Sequence, residues 1–119
     1  MKIPGPDHPI TIKPNNKRVR VMFGGQTIVD TTRALTLQEA SYPPVLYIPR
    51  ADAKMDLLSK ADNATHCPYK GEASYYSISA SGKQAENAVW SYETPFPAMA
   101  EIKEYLAFYS NRVDGIEES

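Results

Sequence analysis

Apolar and polar side chains alternate with a period of two along most of the chain beyond Arg18. Arg18-Val19-Arg20-Val21-Met22-Phe23 alternates, Gly24-Gly25 follows, and Gln26-Thr27-Ile28-Val29-Asp30-Thr31 alternates again. Successive side chains of a strand point to opposite faces, and a Gly-Gly pair supplies the positive φ of a tight turn, so this stretch predicts a β-hairpin. Residues 33–39, with Leu35 and Leu37, predict a third strand. Val45-Leu46-Tyr47-Ile48 lies between Pro43-Pro44 and Pro49, which places a short strand at a sheet edge. Ala51, Met55 and Leu58 recur at helical spacing with Asp52 in the first turn, so residues 51–60 predict a short helix, followed by a loop over 61–71. Residues 73–80 and 84–92 predict two strands joined at Ser81-Gly82-Lys83. A helical turn is expected near Pro97, and the apolar run 105–109 closes the pattern as a strand.

Ahead of this body, residues 1–16 hold Pro4, Pro6, Pro9 and Pro14, four of the ten prolines. Proline removes a ladder donor and holds its predecessor extended. The expectation is an extended arm over 1–17, docked through Ile10 and Ile12. One domain over 18–116 follows, and the polar tail 117–119 is expected to fray. The fold class read from these elements is mainly β, small antiparallel sheets with one or two short helices.

Composition narrows the function classes. The 119 residues suit one domain, and 42% hydrophobic with 23% charged residues is ordinary for a globular chain. Thirteen basic side chains against fourteen acidic ones leave a net charge of −1, which argues against a nucleic-acid partner. The single cysteine, Cys67, makes no internal disulfide. No apolar segment has the length of a secretory core or a membrane span, so a soluble cytoplasmic protein without a membrane partner is expected. A homodimer stays open.

Candidate chemistry concentrates in Thr65-His66-Cys67-Pro68-Tyr69-Lys70-Gly71. The thiolate is the reactive form of cysteine, and nearby cations lower a thiol's pKa, so His66 and Lys70 make Cys67 a candidate nucleophile. The alternative is a tight turn with Cys67 as a small buried hydrophobe. Structural zinc needs four Cys or His ligands, and one Cys with two His falls short, so neither metal nor cofactor is expected. Tyr69, Tyr75, Tyr76, Trp90 and Tyr92 follow Lys70 and suit either a core or the wall of a pocket. Period two places Tyr76, Ile78 and Ala80 on one face and Tyr75, Ser77 and Ser79 on the other. Arg33, Glu39 and Glu93 are candidate acids, bases or ion clamps, with surface pairing as the ordinary alternative. His8, beside Asp7, reads as a solvated residue able to change charge near neutral pH. Neither G-x-x-x-x-G-K-S/T nor G-x-G-x-x-G occurs, so the usual phosphate cradles are missing.

Several strings together resemble the domain of unknown function 427 family. They are Arg18-Val19-Arg20-Val21, Asp30-Thr31-Thr32-Arg33-Ala34-Leu35, Tyr42-Pro43-Pro44, Tyr47-Ile48-Pro49, the Cys67-Pro68-Tyr69-Lys70-Gly71 segment and Trp90-Ser91-Tyr92-Glu93. The likeness covers nearly the whole chain, and the amino-terminal arm is similar to that of bacterial relatives. It implies a tent-like or open-barrel arrangement of small sheets, similar to methionine-sulfoxide reductase B but without its paired C-x-x-C zinc ligands. It implies no assigned function. A nucleotidyltransferase label sometimes given to the family needs a Gly-Ser turn and two carboxylates one residue apart, whereas Asp52 and Asp56 lie four apart.

Three readings of function follow, and whether the domain is an enzyme stays open among them. In the first, a small polar or aromatic ligand binds in a pocket lined by Tyr42, Tyr47, Cys67, Lys70, Tyr76 and Trp90, with Arg33 or Glu39 supplying charge. The second is a thiol enzyme with Cys67 catalytic. The third is a protein-interaction module presenting exposed Tyr and Pro. The first predicts that Lys70 and Cys67 meet in a cleft walled by Tyr47, Tyr76 and Trp90.

Overall fold

The computed structural model describes every residue from Met1 to Ser119 and contains three small antiparallel sheets. Strands β1 (Ile10–Pro14), β4 (Leu35–Glu39) and β5 (Val45–Tyr47) form the first, in the order β1-β4-β5. Strands β2 (Val19–Phe23), β3 (Gln26–Thr31) and β10 (Gly115–Glu118) form the second, in the order β10-β2-β3. The third has the order β6-β7-β8-β9, from β6 (Leu58–Cys67), β7 (Gly71–Ala80), β8 (Lys83–Ser91) and β9 (Ala107–Phe108). No sheet closes into a barrel. The mainly-β class expected from alternation is the one observed, with 3₁₀ turns in place of longer helices. No helix is long and apolar enough to cross a membrane.

The β2–β3 hairpin turns at Gly24-Gly25, with φ of +59° and +74°. A register shift after Val21 gives β3 one extra residue, so the successive side chains Ile28 and Val29 are both buried. They join Val19, Val21, Ile78 and Val89 in the larger of two apolar clusters, shared by the second and third sheets. The smaller cluster gathers Leu37, Tyr47, Tyr75, Tyr92, Met99 and Ile102 between the first and third. A bridge between Ile48 and Leu106 ties these two sheets together.

Three segments differ from expectation. Residues 51–60 form no α-helix. They make two single turns, Arg50–Asp52 and Met55–Leu57, neither of which buries a residue, and then run directly into β6. Ala51, Met55 and Leu58, the residues at helical spacing, offer too little buried surface to offset the entropy of nucleating a helix. Residues 61–71, expected as a loop, mostly belong to β6 and pair with β7. Strand β6 is an edge with one neighbour and is largely solvated, so its polar sequence resembles a loop, and a bulge between Lys60 and Ala64 interrupts its ladder. The carboxyl tail is paired, not frayed. Glu117 and Glu118 lie opposite Arg20 and Val19, and Arg18 and Ser119 exchange two backbone hydrogen bonds of 3.0 Å. The free edge of β2 supplies the backbone partners that the polar tail satisfies. The arm likewise becomes ordered sheet from Ile10, antiparallel to β4.

Candidate functional site

The centre of the candidate site is the turn between β6 and β7. Gly71 has φ of +111°, and this sharp reversal sends Lys70 inward until only 7% of the residue is exposed. The Lys70 carbonyl accepts the Phe96 N–H at 3.0 Å, which holds the turn in place. Lys70 Nζ donates to Glu39 Oε1, at the end of β4, and lies 3.7 Å from Cys67 Sγ and 5.9 Å from the centroid of the Tyr92 ring. The second carboxylate oxygen of Glu39 lies 2.7 Å from His8 Nε2. Partial burial pushes the Glu39 carboxyl up, but the bonds to Lys70 and His8 outweigh it and hold the group below the usual carboxylate range. Glu39 therefore faces Lys70 Nζ as a carboxylate.

Around this pair lies a cavity of about 210 Å³ with Leu37, Tyr42, Tyr47, Tyr75, Trp90 and Tyr92 in its wall. Trp90 Nε1 donates to the Tyr47 hydroxyl at 3.4 Å, leaving the hydrogen of that hydroxyl without a protein acceptor. Tyr92, 7% exposed, has no protein hydrogen bond to its hydroxyl. Burial pushes both phenols far above their ordinary range, so both remain protonated donors. Three donors thus face one aromatic enclosure: the Lys70 ammonium and two phenolic O–H groups.

The amino-terminal arm covers the outer side of the turn. The Lys2 N–H donates to the Pro68 carbonyl at 2.8 Å, and the His8 ring stacks on Tyr69 with centroids 4.1 Å apart and planes 8° from parallel. His8, expected in solvent, is instead a part-buried partner of Glu39.

The structure brings Glu39, Tyr42, Tyr47, Cys67, Lys70 and Trp90 together, with Cys67 touching the site through Lys70. Tyr76 and Arg33 stand elsewhere. On β7 it is Tyr75 that faces the cavity. Tyr76 turns to the opposite face and donates to Glu93 Oε2 at 2.6 Å. Arg33 is held by Asp52, with its Nη2 2.9 Å from Oδ1 and its Nε 3.1 Å from Oδ2. Tyr109 was missing from the sequence-derived set although it lines the cavity. It follows the two-residue strand β9 and leads into the turn Ser110–Arg112, so no alternation shows which side it faces. Arg50 was also missed. It joins Tyr76, Ser91 and Glu93 in a separate polar cluster whose members are more than 25 positions from it in sequence. Nowhere do three His, Cys, Asp or Glu side chains gather as metal ligands.

Three small open sheets tied by cross-bridges, with a lysine-centred aromatic cavity, define a β-rich domain. The family model described as domain of unknown function (DUF427) matches residues 11–119, and the chain belongs to that family. A comparison with curated proteins gave no match.

Proposed function

We propose that this domain binds a small polar or aromatic molecule in the cavity around Lys70 and Glu39. The observation that carries the reading is the unspent hydrogen-bonding capacity of the wall. The Tyr92 hydroxyl makes no protein hydrogen bond and that of Tyr47 only accepts from Trp90 Nε1, so both keep a donor free in the wall of an aromatic cavity beside the buried Lys70. A ligand acceptor would complete them.

The test uses Trp90, the single tryptophan, as an intrinsic fluorescent reporter in the cavity wall. Phenol, benzamide and glucose, titrated separately, should include at least one probe that changes the emission saturably. Tyr92→Phe should weaken that probe about tenfold while leaving the melting temperature unchanged, because the lost hydroxyl has no protein partner. A purely structural Tyr92 would reverse the result, with lowered stability and unaltered probe response.

A second reading rests on the 3.7 Å separation of Lys70 Nζ from Cys67 Sγ, since an adjacent cation favours thiolate. It ranks second because Lys70 already gives its shorter contact to Glu39. Alkylation rates of Cys67 measured across pH decide it. A midpoint near 6 promotes the thiol-enzyme reading, and one at or above about 8.5, the free-thiol value, removes it.

A further inference from the structure

Where the three sheets converge, they leave a second cavity of about 260 Å³, walled by Val19 and Val21 of β2, Leu46 of β5, Phe108 of β9, Ile48 and Ile116. Nine of its eleven lining residues are hydrophobic. Well-packed interiors hold few voids larger than a water molecule, and an apolar void of about 150 Å³ is already large enough to admit benzene. Val45, Trp90 and Tyr109 line this cavity and also the polar one around Lys70. The two spaces are therefore back to back across a shared wall, in which the Trp90 and Tyr109 rings meet at 4.5 Å with planes 45° apart.

The chemistry on the two sides of this wall is complementary to one elongated molecule. One side offers three hydrogen-bond donors, and the other is mostly aliphatic and aromatic, with Ser110 as its one hydroxyl-bearing aliphatic side chain. Charge selects the head group. Glu39 is ionised, neutralises Lys70 and has its other oxygen beside His8. A second carboxylate in the same small enclosure would face that of Glu39, and like charges at close range in a poorly solvated site repel strongly. A neutral carbonyl oxygen takes the same three donors without the repulsion.

We infer that the ligand is a neutral acyl amphiphile, such as an amide, ester or ketone, whose carbonyl sits at Lys70, Tyr47 and Tyr92 and whose chain enters the apolar seam. This inference rests on the ligand-binding reading of the Lys70 cavity and adds the ligand's chemical class. The chain passes the shared wall by turning the half-buried Trp90 indole against Tyr109, so occupancy of the seam is visible in Trp90 emission.

The experiment titrates the protein with straight-chain primary amides from butanamide to decanamide at pH 7, with octanoate as the charged counterpart. Affinity should rise about fourfold for each added methylene until the seam is filled. Octanoate should bind at least tenfold more weakly than octanamide. Ile116→Phe and Leu46→Phe, two half-buried positions on different sheets, should each flatten the chain-length dependence while leaving butanamide affinity unchanged. If butanamide binds and longer amides bind no better, the inference fails and the ligand-binding reading survives. If octanoate binds more tightly than octanamide, the neutral-head assignment is wrong. If no amide binds and no probe of the polar cavity binds either, both readings fall together.

Discussion

Replacing Glu93 by glutamine would test the electrostatics of the polar cluster beside the core. Its carboxylate accepts from Arg50 Nη2 at 2.9 Å, Lys60 Nζ at 2.7 Å and Tyr76 Oη at 2.6 Å. Arg50 is itself anchored, donating to the Glu104 carbonyl at 2.6 Å and to Ser91 Oγ at 3.1 Å. Partial burial pushes the Glu93 carboxyl up, but the bonds from Lys60, Tyr76, Ser74 and Arg50 prevail and bring it from 4.5 down to about 2. At about 1.4 kcal/mol for each tenfold change in proton affinity, that shift corresponds to about 3 kcal/mol of folding stability. A quarter of the side chain is exposed, and solvent screening reduces the figure to about 2 kcal/mol. A carboxyl whose folded value is depressed stabilises fully above its unfolded value near 4.5. That stabilisation is lost as the pH falls from there through about 2. Urea unfolding of wild type and Glu93→Gln at pH 7, 5, 4, 3 and 2.5 should therefore show a gap of about 2 kcal/mol at pH 7 that narrows steadily below pH 4.5. Other carboxylates titrate in both proteins, so the difference between the two curves isolates Glu93. A gap below about 0.5 kcal/mol at pH 7, or one equally large at pH 2.5, would refute the reasoning.

Gly24→Ala should destabilise by at least about 2 kcal/mol against about 1 kcal/mol for Gly25→Ala, measured by urea unfolding. Both positions have positive φ, but only at Gly24 would the new Cβ come within 2.8 Å of a backbone atom, the Ala80 carbonyl oxygen. Equal costs would show that the hairpin tip is not held against β7. Arg33→Ala should cost less than about 1 kcal/mol, since the Arg33 side chain is 62% exposed and its pair with Asp52 is at the surface. It should also leave Trp90-detected binding unchanged, and a loss of binding would contradict the placement of Arg33 away from the cavity.

The local pattern was informative where a strand lies with one face buried and the other in solvent. Alternation through Val19, Val21 and Phe23, broken by Gly24-Gly25, identified a hairpin because each residue's environment there depends on its own parity. Prolines flanking β5 marked an edge because a missing N–H is tolerated only there. The Cys67-to-Gly71 turn and the nearby aromatics pointed to the neighbourhood of the Lys70 cavity because a thiol, an ammonium and several rings lie within a few residues. Strand β6 was invisible for the complementary reason: an edge exposed on both faces has no apolar period to display. The pairing of Glu117 and Glu118 was hidden too, since what orders them is the free edge of a strand almost a hundred residues away.

The sequence by itself determined the β-rich class, the β2–β3 and β7–β8 hairpins and the residues near the Lys70 cavity, all of which follow from local periodicity and turn chemistry. Only the tertiary structure decided that Tyr75 and not Tyr76 faces Lys70, that Arg33 goes to Asp52, and that Glu39 and His8 reach Lys70 from distant segments. Period two divides a strand into two faces without saying which one meets a given neighbour. That choice is made by sheet register and by the packing of one sheet on another, through contacts between residues far apart in the chain.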